Sequence, residues 1–151
     1  MNHVSSNRKQ ANINAPGTGT ICDDCEVTRR KTERRRKALL TAAQRAIQER
    51  YGEFGLGLGD IAEDVGCSAR QLQRVFREIG GTDFRSFLLR TRLEQARRLL
   101  SRKKNPLTVR QAARAVGYGE ASGLRQGFLR LYGQNPSELQ PDPPEYAADV
   151  F

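Results

Sequence analysis

Apolar residues recur at three- and four-residue spacings along most of the chain, and glycines interrupt that register at intervals. Leu39, Leu40, Ala43, Ala46, Ile47 and Tyr51 fall on one face of a helix, and Gly52 and Gly55 end it. Leu58, Ile61, Ala62 and Val65 give a short amphipathic helix that stops at Gly66. Ser68 is suited to cap a second helix with Leu72, Val75, Phe76 and Ile79 inward, closed by Gly80 and Gly81. Thr82 or Asp83 then caps a longer helix reaching about Arg102. Its stripe of Phe84, Phe87, Leu88, Leu89, Leu93, Ala96, Leu99 and Leu100 is wide. A stripe of that width predicts packing on two sides, as a connector between two small modules needs. Asn105-Pro106 breaks the chain, and Thr108 caps a short helix with Val109, Ala112, Ala113 and Val116 inside, ending at Gly117. After Tyr118 a last helix carries Leu124, Phe128 and Leu131, closed by Gly133 and Pro136.

The second half repeats the first. Leu56-Gly57-Leu58-Gly59-Asp60-Ile61-Ala62, with Val65-Gly66-Cys67 after it, parallels Leu107-Thr108-Val109-Arg110-Gln111-Ala112-Ala113 with Val116-Gly117-Tyr118. In each copy a phenylalanine, Phe76 or Phe128, follows about ten residues later. The expected fold is all-α, with two helix-turn-helix subdomains joined by a long connector helix. Residues 1–37 read as a disordered basic segment with a Cys22-x-x-Cys25 pair, 38–139 as the bipartite domain, and 140–151 as a disordered acidic tail.

Composition narrows the function. The 151 residues carry a formal net charge of +9, with 37% hydrophobic and 28% charged positions and no tryptophan. That excess favours a polyanionic partner. No run approaches the ~20 apolar residues of a membrane span, and the polar start Met1-Asn2-His3 has no signal-peptide character. A cytoplasmic, reducing location and no membrane partner are therefore expected. An odd number of cysteines, with Cys67 inside a helical region, argues against a disulfide framework. The single histidine lies in the N-terminal tail, and no paired carboxylates, phosphate loop or nucleophile constellation is legible, so no enzyme is expected.

A helix-turn-helix needs a small residue before the turn, a glycine at the turn and a second helix with one face free. Ala62, Gly66 and the helix after Ser68 supply these. The outward positions of that helix are Ala69, Arg70, Gln73, Arg74 and Arg77. Arg grips guanine through two hydrogen bonds and Gln grips adenine, so Arg70, Gln73 and Arg74 suit base reading. Arg77, farther along, suits phosphate. The competing reading is a small helical protein with a solvated basic face.

From roughly Leu56 to Leu139 the chain resembles the DNA-binding domain of the AraC/XylS family of bacterial transcription regulators. Carrying the resemblance are Leu58-x-x-Ile61-Ala62, Gly66-x-Ser68-x-x-x-Leu72-x-x-x-Phe76, Gly81, Arg92-Leu93-x-x-Ala96-x-x-Leu99-Leu100, Gly117-Tyr118, Phe128 and Gly133-x-x-Pro136. The resemblance implies seven helices, with two recognition helices in successive major-groove segments about one DNA turn (~34 Å) apart. It implies base contacts from Arg70, Gln73 and Arg74 in the first unit and from Ser122, Gly123, Arg125 and Gln126 in the second. Arg92 matches a family position that braces the two halves. Transcription activation by recruiting RNA polymerase is the commoner outcome the resemblance implies. The length leaves no room for an effector-binding domain, so no small-molecule effector is expected.

The second copy departs from the pattern. Gly123 and Gly127 lie inside its recognition helix, each at a cost of roughly 1 kcal/mol relative to alanine. Ala112 thins its core. The first unit is therefore expected to dominate sequence reading, with the second giving backbone or shape-dependent contacts and leaving open that it orders only on DNA. An AraC-like fold serving as a protein-interaction module is the alternative function. The Cys22-x-x-Cys25 pair and the basic segment after it are faintly similar to Ada-type regulators, where a four-cysteine zinc site accepts methyl groups. The first pair of that site is missing here, so neither metal nor any other cofactor is expected. The basic run Arg29-Arg30-Lys31 and Arg34-Arg35-Arg36-Lys37 is expected to add phosphate contacts.

Overall fold

Two hydrophobic cores share one helix. A computed structural model describes residues 23–139, with side-chain surroundings from Glu26 onward. These residues form six α-helices: α1 (Asp23–Arg50), α2 (Leu58–Asp64), α3 (Ala69–Glu78), α4 (Phe84–Leu100), α5 (Val109–Ala115) and α6 (Ala121–Tyr132). A 3-10 turn, Pro136–Leu139, follows and stands where the resemblance implies a seventh helix. The expected all-α class with two helix-turn-helix units is what the structure shows. Among the described residues no helix is long and apolar enough to cross a membrane.

The first core gathers Leu40, Ala43 and Ile47 from α1, Ile61 and Ala62 from α2, and Leu72, Val75 and Phe76 from α3. Phe84 and Leu88 reach it from the start of α4. The second gathers Leu93, Ala96 and Leu100 from the rest of α4, Val109, Ala112 and Ala113 from α5, and Leu124 and Phe128 from α6. The broad stripe of α4 is therefore two faces in succession. Leu88 and Leu93 are five residues apart, so at about 100° per residue their side chains diverge and serve different modules. Tyr51, at the end of α1, packs against both cores.

Helix starts follow the caps read from the sequence. The Ser68 hydroxyl accepts from the Gln71 amide at 3.2 Å and the Asp83 carboxylate from the Ser86 amide at 3.0 Å. The Thr108 hydroxyl accepts from the Gln111 amide at 3.3 Å, and the Gln111 side chain accepts in return from the Thr108 amide at 2.9 Å, a reciprocal box. The turn glycines Gly66 and Gly117 have φ of +66° and +79°. That left-handed conformation is strained for a residue with a Cβ.

Two expectations need correction. The basic segment to residue 37 is helical from Asp23 onward, since Glu, Arg, Lys and Thr with no glycine or proline let α1 propagate. Bonds four residues apart support it: Arg30 to Glu26 and Lys37 to Glu33. Leu131, expected inward, is 44% exposed, and Tyr132 packs against the second core in its place. In α6, Leu124 and Phe128 are fully buried. The remaining parts of the two tails, including Cys22 and Tyr146, Val150 and Phe151, lie outside the described residues, as does the side chain of Cys25.

Candidate nucleic-acid interface

The two units can be overlaid by sequence offset. Leu72 and Phe76 of α3 match Leu124 and Phe128 of α6, and all four are fully buried. The same offset matches Arg70 to Ser122, Gln73 to Arg125, Arg74 to Gln126 and Arg77 to Leu129. Each of these eight side chains is exposed. On both helices they recur at three- and four-residue spacings, so each helix presents one continuous outer strip. Arg70, Gln73, Arg74 and Arg77 are thus brought together on α3, and Ser122, Arg125 and Gln126 on α6. Among the described residues only Arg74 of the four α3 side chains approaches an acid, with its Nε 3.9 Å from Glu78. Leu129, 58% exposed, was not singled out by its own residue type. The 52-residue offset to Arg77 is the signal that finds it, and its apolar side chain is of the kind that meets thymine methyl groups.

Gly123 does not belong to that strip. A Cβ built on it would lie 3.1 Å from the Tyr118 ring, so the position faces the turn and not the outer surface. Gly127 is also turned inward. A Cβ there would lie 3.0 Å from Leu93 Cδ2 and 3.3 Å from the Tyr118 hydroxyl oxygen. The repeat explains Gly127. Gly127 corresponds to the buried Val75, and Tyr118 to Cys67. Bulk that the first unit carries on its helix is carried by the second on its turn, and the glycines make room for the Tyr118 ring. Burial pushes the Tyr118 phenol above its ordinary value, and its oxygen has no hydrogen-bond partner among the described residues.

Arg92 fixes how the units sit on α4. Its Nε donates to the Tyr51 carbonyl oxygen at 2.8 Å and its Nη2 to the Glu53 carbonyl oxygen at 2.7 Å. Its guanidinium carbon also lies 5.8 Å from the centre of the Tyr118 ring. One side chain on the connector therefore ties the end of the first unit's α1 to the turn of the second. Gly117 is part of the same junction, because a Cβ there would lie 2.9 Å from both Arg92 Nη2 and the Tyr51 oxygen. The α1 to α2 loop is held from the other side by Arg50, which pairs with Glu53 at 2.8 Å and with Asp64.

Residues 61–141, just over half of the chain, match the family model described as a helix-turn-helix domain. Over 80 residues the chain is 38% identical to the HTH-type transcriptional regulator GlxA of Rhizobium meliloti (strain 1021), covering 53% of this chain and 24% of that protein. Among solved structures it is similar to a transcriptional regulator of the AraC-type DNA-binding domain-containing proteins from Chromobacterium violaceum. That likeness has a TM-score of 0.63 and 29% identity, over 69% of this chain and 90% of the other. It is also similar to the DNA-binding domain of AdpA, a global transcriptional factor solved in complex with a target DNA. There the TM-score is 0.59 and the identity 26%, over 66% of this chain and 86% of the other. The chain spans from about a quarter to two fifths of the length of the curated relatives it matches.

Proposed function

Because the chain belongs to the AraC/XylS family of helix-turn-helix regulators, we propose that it is a sequence-specific, double-stranded-DNA-binding transcription regulator. The observation that carries this reading is the pair of matched outer strips on α3 and α6, mounted on one connector helix. Arg70, Gln73 and Arg74 read bases in one major-groove segment, and Arg77 holds phosphate. Ser122, Arg125 and Gln126 face the next segment, about one DNA turn (~34 Å) away. Activation through RNA polymerase is the outcome we assign, in a cytoplasmic setting. The alternative of a protein-interaction module rested on the glycines of α6, and their inward packing against Tyr118 and Leu93 removes that support.

Selection of bound sequences from a random DNA pool by the purified chain tests this, repeated with Arg70 and Arg74 changed to Ala. A motif spanning two successive segments, lost in the double variant, is the expected result. A motif confined to one segment would mean that α6 does not read bases. No enrichment of any motif would overturn sequence-specific recognition.

A further inference from the structure

The N-terminal half of α1 is a helix without a core. From Glu26 to Arg35 every side chain is exposed, and the first residue of α1 buried in the first core is Leu40. A helix segment of that length is marginal on its own in water, so something on the protein or off it is left to use its faces. The charges on those faces are sorted. On one side Arg30 pairs with Glu26 and Lys37 with Glu33, and Arg30, Glu33, Arg34 and Lys37 lie together around one shallow depression. About 130° around the helix from the centre of that cluster, Lys31 and Arg35, four residues apart, face a groove toward α3 and are not ion-paired among the described residues.

That groove is shared with the reading helix. Lys31 and Arg35 line it from α1, and Arg70 and Arg74 line it from α3. Arg36 closes one part of it by pairing with Glu78, the last residue of α3. Glu78 is the groove's acidic residue, and it is engaged by Arg36 and approached by Arg74. Lys31, Arg35 and Arg70 have no ion pair among the described residues, and Arg70 and Arg74 belong to the outer strip of α3.

We propose that this groove is a second DNA-contact element, in which Lys31 and Arg35 hold backbone phosphates of the strand flanking the major-groove segment read by α3. The proposal rests on the DNA-binding reading above and extends it beyond the two recognition helices. Charge complementarity selects the occupant: a row of cations continuous with a base-reading face matches a phosphate backbone running out of that groove. Such contacts position the protein and carry no base preference.

The experiment measures affinity for a mixed-sequence duplex of about 30 base pairs across a salt series. It compares the unmodified chain, Lys31→Gln/Arg35→Gln, and Arg30→Gln/Arg34→Gln as a charge-matched control about 100° around the same helix, outside the groove. Helicity by circular dichroism verifies that all three retain α1. Each phosphate contact contributes about 0.9 to the slope of log affinity against log salt. The groove variant should lose about 2 from the magnitude of that slope, about two contacts at 0.9 each, while the control keeps the unmodified slope. Equal slopes for the two variants would overturn the proposal by reducing the effect to net charge. So would an unmodified slope in the groove variant, which would leave the recognition helices as the DNA contacts. Failure of the unmodified chain to bind DNA at all would overturn the regulator reading together with this one.

Discussion

Arg92 donates to the carbonyl oxygen of Tyr51 across 41 residues of sequence, at 2.8 Å, and so joins the connector helix to the chain just past the end of α1. Its second bond, to the Glu53 carbonyl, fixes the same loop. Hydrogen bonds to charged groups contribute about 1.5–3 kcal/mol each, less where solvent reaches them. Arg92→Ala should therefore destabilise the protein by roughly 2–4 kcal/mol, read from urea denaturation. Arg92→Lys keeps the charge but not the two-pronged geometry, and should recover only part of the loss. A change in the alanine variant below about 0.5 kcal/mol would show that the brace is idle.

Gly127 and Gly59 are both helical, and alanine should affect them in opposite directions. At Gly59 nothing lies within 4 Å of an added Cβ, so Gly59→Ala should stabilise by about 0.5–1 kcal/mol through helix propensity. At Gly127 the new methyl would lie 3.0 Å from Cδ2 of Leu93, which is fully buried. Overpacking of about 1–3 kcal/mol should outweigh the propensity gain, leaving Gly127→Ala less stable than the parent. Thermal melts of the two variants side by side check the sign.

Tyr118→Phe removes a buried hydroxyl oxygen that has no partner among the described residues. An unsatisfied buried group costs about 1–3 kcal/mol, so this variant should be at least as stable as the parent and by up to that amount more. The ring and its contact with Arg92 are retained. It should also soften the Gly127→Ala defect, because the hydroxyl is one of the atoms that the new methyl crowds. Non-additivity in the double variant measures that relief.

Acid should loosen the start of α4 through Asp83. The Ser86 backbone amide, and after it the Ser86 hydroxyl, hold the Asp83 carboxyl below the usual range. The folded-state value is thus the lower one. The stabilisation is complete above the ordinary aspartate range and is lost as pH falls through the folded value. Asp83→Asn should therefore differ from the parent at neutral pH and converge on it in acid. A difference in melting temperature that stays constant from neutral pH down to acid would exclude the carboxylate as the cap.

The helix order, the caps at Ser68, Asp83 and Thr108, and the turn glycines were all legible, because each follows from local chemistry within a few residues. The outer strip of α3 was legible for the same reason. What sequence could not show was a trade between distant positions. Gly127 reads as a weak point in α6 until Tyr118 is seen against it, and the relevant comparison is with Val75 and Cys67, half a chain away. The extent of α1 was missed from the other direction. Basic residues read as solvated chain, yet they are good helix formers, and four-residue ion pairs support the segment without any core.

One consequence follows from α4 serving both cores through residues only five apart. The angle between the two units is written into the helical phase between Leu88 and Leu93, not into a loop that could flex. A single residue inserted between them would leave each core's own residues intact and still turn one unit about 100° around the α4 axis relative to the other. Both units would keep their folds and lose their present orientation to each other. Evolution of a new operator spacing in this scaffold is therefore quantised: the connector can change by whole helical turns, and single-residue steps are closed to it.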